Sequence, residues 1–239
     1  MESKNSSNEL SQDNSVDQKE ALETNDIVAK VKAKIKTDGL KAESLFRVEP
    51  VSDQNRADFD QIWQQVWHRE GFDDGDLEKT KSHYQIYDGH SQDLLLYFKP
   101  EENDEQIPIG TMRLIWDERG GFPAFNDFKV AREWKEKDCV EFTLLTVLPE
   151  WRGLEHLNTL FLWREGCRIM RKRGIDNILY IADKSLIDVF ENVGFVIHKI
   201  SLEDKYHEGN ICSVYSIVYS ENFVHLGKNN PDLLDFFEA

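Results

Sequence analysis

The residues best placed to do chemistry lie in one run, Val140-Glu141-Phe142-Thr143-Leu144-Leu145-Thr146-Val147-Leu148-Pro149-Glu150-Trp151-Arg152-Gly153. An apolar run holding one carboxylate and two threonines predicts a buried strand over 140–148. Pro149 to Gly153 predicts a tight loop, and Leu154 to about Arg173 a long helix. A strand–loop–helix junction aims backbone N–H groups and the positive end of a helix dipole at one spot, which suits a phosphate. Period-two alternation puts Glu141, Thr143 and Leu145 on one face, before any bulge. Val140 and Phe142 flank Glu141, so its carboxyl is expected to be partly desolvated. That raises its pKa toward a range useful for taking a proton, directly or through water. The alternative is a structural partner for Arg113.

Arg113 belongs to a second expected strand, Ile109–Trp116, on the face opposite Met112 and Leu114. A guanidinium there needs an anion: Asp88, Glu141 or a substrate carboxylate. Trp63, Trp67 and Phe72 are aromatics that either line a tunnel or fill a core, and helical spacing favours the core. His68 and His156 are noted as possible titrating groups. Cys139, Cys167 and Cys212 show neither disulfide nor metal spacing, so no metal site is expected and small buried thiols are.

The elements that must position these residues follow from periodicity. Ser44–Pro50 predicts a first strand. Residues 54–70 predict a helix with Phe59, Ile62, Trp63, Val66 and Trp67 on one face, and 71–83 a polar loop. Leu94–Phe98, Ile109–Trp116, 140–148 and Asn177–Ala182 predict four more strands. Lys184–Val193 predicts a short helix stopped by Gly194. Phe195–Ile200 and Ile211–Tyr219 predict a last strand pair. The order implies an α+β fold, a mixed and mostly antiparallel sheet with helices on both faces. Residues 1–42 are expected to be a disordered, then basic, leader segment, 43–220 the folded domain, and 221–239 a tail that packs back on it.

The 239-residue chain has a net charge of -16. Residues 1–26 hold seven acids and two lysines, and 27–41 hold five lysines and one acid, which leaves the body at -15. Such an acidic body argues against nucleic-acid binding. No apolar run approaches a membrane span and the first residues hold no signal core, so a cytoplasmic protein is expected. The exception to the acidity is Arg164, Arg168, Arg171, Lys172 and Arg173. That cluster either complements the helix dipole or docks an acidic partner.

The strand–Val-x-Pro-x-x-Arg-Gly–helix junction and the Phe190-Glu191-Asn192-Val193-Gly194-Phe195 unit resemble the GCN5-related N-acyltransferase superfamily. Tyr87-Asp88, Gly110-Thr111-Met112-Arg113-Leu114 and Val140-Glu141-Phe142-Thr143 resemble its autoinducer (acyl-homoserine-lactone) synthase and N-acyl amino acid synthase branch. The resemblance covers residues 45 to about 200. It implies an acyl-CoA N-acyltransferase-like fold and an enzyme that moves an acyl group from a pantetheine thioester to a small amine such as an amino acid. No cofactor is held permanently; the donor is acyl-CoA or the phosphopantetheine of an acyl carrier protein. The backbone of Leu145, Thr146 and Val147 would pair with the arm, in a gap between strands 140–148 and 177–182. Arg152, Gly153, Leu154, Glu155 and His156 would wrap the phosphate. Glu141, Arg113, Asp88 and Thr143 would form the catalytic group, Asp88 orienting the amine or pairing Arg113. An acidic carrier would suit the basic helix end at 164–173.

The chain departs from the pattern at named places. The loop glycines are Glu155 and Leu157, and Glu155 puts a carboxylate near the expected phosphate. Gln85 and Leu144 replace an acid and an arginine, which argues against homoserine-lactone synthesis while leaving simple acyl transfer. Phe190 stands where a tyrosine would protonate the thiolate, so Tyr180, Thr146 or water would substitute. A catalytically weak module that binds a ligand or partner is the rival reading.

Overall fold

The computed structural model describes residues 44–99, 106–116, 121–152 and 157–239. The expected leader at 1–42 and the loop residues Gly153, Leu154, Glu155 and His156 lie outside the described residues. In chain order the elements are β1 (Phe46–Pro50), α1 (Arg56–Glu70), α2 (Leu77–Gln85), β2 (Ser91–Phe98), β3 (Ile107–Trp116), α3 (Pro123–Asp127) and β4 (Cys139–Val147). There follow α4 (Leu157–Lys172), β5 (Asn177–Ala182), α5 (Lys184–Val193), β6 (His198–Lys199), β7 (Lys205–His207), β8 (Asn210–Val218), α6 (Tyr219–Asn229) and α7 (Pro231–Glu238).

The strands join in the order β1-β2-β3-β4-β5-β8-β6, with β7 on β8. Only β4 and β5 pair in parallel among the described strands. Alternation along the strands feeds two apolar layers. One face of the sheet packs Leu94, Met112, Leu114 and Phe142 under α4, α5, α6 and α7. The other packs Leu95, Ile115 and Leu179 under α1, α2 and α3. The mixed sheet with helices on both faces is therefore as expected.

α1 buries Phe59, Ile62, Trp63, Val66 and Trp67, at spacings of three and four. It stops at Gly71, whose φ of 76° lets its N–H turn back to the carbonyls of His68 and Trp67. The stretch 71–83, expected as loop, instead contains most of α2. Tyr84 is the only buried residue of that helix, so it lacks an apolar stripe. Its signal was the cap: the Asp76 carboxylate accepts from the Lys79 N–H at 3.0 Å. The strand expected at Phe195–Ile200 shrinks to β6, and β7 arises in a stretch the periodicity missed. The tail forms α6 and α7, and Leu233, Phe236 and Phe237 enter the first apolar layer. Among the described residues no helix is long and apolar enough to cross a membrane.

Candidate active site

β4 and β5 pair over three positions only, Cys139 with Asn177, Val140 with Ile178 and Glu141 with Leu179. Both strands run on, to Val147 and Ala182, without further pairing to each other. The gap between them is a cleft of about 150 Å³ whose walls include Trp67, Tyr84, Thr143, Leu144, Tyr180 and Glu208. On one side it meets a groove of about 490 Å³ beside the start of α4, lined by Leu145, Thr146, Val147, Arg152, Asn158 and Phe190 among others. On the other lies a polar pocket of about 380 Å³ that holds Arg56, Asp60, Lys81, Asp88, Asp93 and Arg113. Phe72 and Leu145 line both cleft and groove. Tyr84 and Leu144 line both cleft and polar pocket. Trp67 and Phe72 thus wall the cleft, while Trp63 walls the polar pocket.

A bulge shapes the cleft edge. Thr143 sits opposite Arg113 and Thr146 opposite Thr111, three steps on β4 against two on β3. The extra residue is Leu144, in the left-handed region at φ 48°. The Thr111 hydroxyl donates to the Leu144 carbonyl at 3.0 Å and pins it. The bulge corrects the expected alternation. Leu144 packs with the α1 layer and Leu145 with the α4 layer, so Leu145 does not share a face with Glu141.

Glu141 is fully buried. Its Oε2 accepts from the Ala124 N–H at 3.0 Å, and its Oε1 has no hydrogen-bond partner among the described residues. Burial pushes its carboxyl well above the ordinary glutamate range, the Ala124 N–H opposing. It is not among the residues that wall the cleft. Of the two expected routes for its proton, direct contact or water, only a relayed one suits this placement. It does not pair Arg113.

Of the anions expected for Arg113, Asp88 does meet it, but its main partner is one the sequence reading missed. Asp93, directly opposite on β2, takes Nε at 2.6 Å and Nη2 at 2.8 Å in a two-pronged pair. Nη1 donates to the Tyr84 carbonyl at 3.1 Å and meets Asp88 at 3.0 Å. Arg56 also pairs Asp93. Burial works against the Arg113 charge, but Asp93 and Asp88 hold the guanidinium above its ordinary range. Asp88 is mostly exposed at the pocket rim.

Thr143, expected in the catalytic group, faces the cleft and donates to the Tyr84 hydroxyl at 3.3 Å. That hydroxyl donates to Glu208 Oε1 at 2.8 Å. Glu208 in turn lies 3.4 Å from His207 Nε2. Burial, then Glu208, pushes the Tyr84 phenol well up. Tyr84 and Glu208 carried no motif, and their meeting depends on contacts across most of the chain. Of the substitutes for the missing tyrosine, Tyr180 lines the cleft with its ring against Phe190 and its hydroxyl without a partner among the described residues. Thr146 instead accepts from Trp67 Nε1 at 3.2 Å.

Arg152 reaches the groove while donating to the Val147 carbonyl and to Glu70, both at 3.1 Å. The basic cluster sits elsewhere. α4 has 16 residues and runs away from the groove, so its last turn lies about 24 Å from the mouth by helix rise. There Arg173 stacks 3.9 Å over the Trp116 ring and Arg171 packs on Tyr219, while one turn back Arg168 pairs Glu165. His68 pairs Asp73 at 2.7 Å.

No family model and no curated protein sequence matches the chain. Solved structures do. FeeM, an N-acyl amino acid synthase from uncultured soil microbes, superposes with a TM-score of 0.56 at 12% identity, over 77% of this chain and 98% of that one. The AHL synthase LasI superposes with a TM-score of 0.52 at 12% identity, over 73% and 90%. At these identities the likeness speaks to fold alone: the chain has the GCN5-related N-acyltransferase fold, in the form similar to these two synthases.

Proposed function

We propose that the protein is an N-acyltransferase that moves an acyl group from a pantetheine thioester to a small amine such as an amino acid. The observation that carries this reading is the parting of β4 and β5 after three residue pairs, with a groove on one side of the gap and a polar pocket on the other. The pantetheine arm lies along Leu145, Thr146 and Val147, and its phosphate is held at the start of α4, with Arg152 as the described cation at hand. The thioester carbonyl comes to the bulge at Leu144, where backbone amides polarise it. The amine arrives from the polar pocket. That pocket carries three cations and three carboxylates, a balance that suits an acceptor with both an ammonium and a carboxylate. Asp88, exposed at the rim, holds the ammonium, and Arg113 with Asp93 fixes the pocket floor. The amine gives up its proton to a carboxylate beside the cleft; Glu141 can take it only through an intervening water or side chain. Tyr180 supplies the proton for the leaving thiolate.

The arm belongs either to free CoA or to an acyl carrier protein. Docking of an acyl carrier protein on Arg164, Arg168, Arg171, Lys172 and Arg173 is the weaker option, because most of that cluster is far from the mouth and internally engaged. The rival reading, a binding module without turnover, draws on Phe190 and Leu144, two neutral residues in the walls.

The test is to incubate the protein with acetyl- and long-chain acyl-CoA, or acyl carrier thioesters, and a mixture of amino acids. Thiol release is followed by a chromogenic disulfide and products by mass spectrometry. Acylated amine with matching thiol is the expected result. Thermal stabilisation by a thioester without any thiol release favours the module instead.

A further inference from the structure

The turn between β7 and β8 is built against its own conformational preference. His207 pairs with Asn210, leaving a two-residue loop, Glu208-Gly209. Both loop residues have positive φ, 49° and 80°. That is the pattern of a type I′ hairpin, whose first position favours Asn, Asp or Gly. A glutamate there is strained and needs a reason. The turn is also clamped. A Cβ on Gly209 would lie 2.5 Å from the Gly71 carbonyl, so the hairpin tip rests directly on the backbone after α1. Tyr206 donates to Asp74 at 3.1 Å and Asn210 to Asp183 at 2.7 Å, fixing the tip from two sides. What this clamp delivers is the Glu208 carboxylate in the cleft wall, beside Tyr84 and Thr143. Leu144, another left-handed non-glycine residue, stands in the same walls.

We infer that Glu208 is the catalytic residue that takes the proton from the attacking amine, with Tyr84 as its positioning residue; this rests on the acyl-transfer reading. The amine nitrogen attacks the thioester carbonyl carbon, a C–N bond forms and the C–S bond breaks, its electron pair leaving with sulfur. Glu208 removes the proton from nitrogen, and the sulfur gains one in the same cleft, so no proton is consumed overall. The Tyr84 hydroxyl donates to Oε1, which leaves Oε2 for the amine. The groups that face Glu208 are Tyr84 from α2, His207 and Cys212 from its own hairpin, and Glu141 from β4. Glu141 has no surface in the cleft wall, and Asp183, which does, is taken up by Ser185, the Leu186 N–H and Asn210 as the cap of α5, so Glu208 is the carboxylate left for an amine.

The experiment compares wild type with Glu208→Gln and Glu208→Asn. Gln keeps the acceptor for Tyr84, and Asn is a residue the turn itself prefers. The expected result is a kcat lower by about 100-fold or more in both Glu208 variants. The KM for the thioester stays within about threefold, and the melting temperature is unchanged in Gln and unchanged or higher in Asn. Turnover within threefold of wild type in either variant overturns the assignment and leaves acyl transfer standing. So does lost turnover accompanied by a lower melting temperature in both, which marks the residue as structural. A wild type silent with every donor overturns both.

Discussion

At the residue scale, Glu141 and Glu208 differ in burial: Glu141 is fully buried, whereas Glu208 keeps some exposure in the cleft wall. Glu141 is buried with one oxygen unpartnered among the described residues, so its folded form holds a proton well above the ordinary value of 4.5. A raised folded pKa means that the native state binds more protons than the unfolded one across that interval. Stability from this group is therefore complete below 4.5 and is lost as pH rises toward the raised value. Thermal melts from pH 4 to pH 9 should show Glu141→Gln gaining on wild type as pH increases. Parallel curves for the two proteins would mean that the carboxyl is ionised in the fold. Arg113 and Asp88 offer a second contrast. Removing Arg113 leaves the buried Asp93 with one half-exposed partner, Arg56, so Arg113→Met should cost up to about 3–5 kcal/mol. Asp88→Asn breaks an ion pair at an exposed rim and should cost about 0–1 kcal/mol while raising the acceptor KM. Chemical denaturation and steady-state kinetics separate the two effects. Arg113 announced its need for an anion from sequence alone, but not which one. Asp93 lies 20 residues away and Glu208 lies 124 residues from Tyr84, pairings that only strand order and hairpin geometry create.

Among elements, the bulge on β4 does most to set the site apart from a plain sheet. It turns Leu144 to one layer and Leu145 to the other, and so gives the cleft an apolar lip on each side. Alternation could not reveal it, because every residue from Leu144 to Leu148 is apolar or threonine and fits either face. The pin is the Thr111 hydroxyl on the Leu144 carbonyl. Thr111→Val keeps the shape and removes that hydrogen bond at a fully buried position. It should cost about 1–3 kcal/mol, because the carbonyl loses a partner it cannot replace with water. On the proposed mechanism kcat should fall with it, since the bulge amides proposed to polarise the thioester are then less well held. A Thr111→Val protein with wild-type stability and kcat would show that strand pairing alone holds the bulge. α2 was hidden for a different reason. With one buried side chain it has no periodic stripe, although Asp76 marks its start. It nevertheless brings Tyr84 to the cleft.

For the whole molecule, the mixed sheet with helices on both faces and the chain order of its longer elements were legible because long apolar runs and their intervals survive in the sequence. The gap between β4 and β5 was legible only through the family resemblance, since both strands stay apolar well past the point where their pairing ends. The closing of the α4 layer was half legible: the cluster at Leu233–Phe237 asked for burial without saying where. In the fold, Phe236 meets Phe161 edge to face at 5.2 Å and Phe237 meets Phe195 edge to face at 5.6 Å, with Arg164 over the Phe236 ring. α7 therefore covers the outer side of the same helix whose start borders the groove. Leu233, Phe236 and Phe237 are each under a tenth exposed. Burying three such side chains contributes about 5–9 kcal/mol as an upper estimate. That is comparable with the whole stability of a typical domain, about 5–15 kcal/mol. A chain ended at Asn230 should thus lose its cooperative melt, while Phe236→Ala alone should cost about 3–5 kcal/mol and leave a folded protein. A truncated chain that melts within a few degrees of wild type would show that α7 is an appendage rather than part of the layer that holds α4 against the cleft.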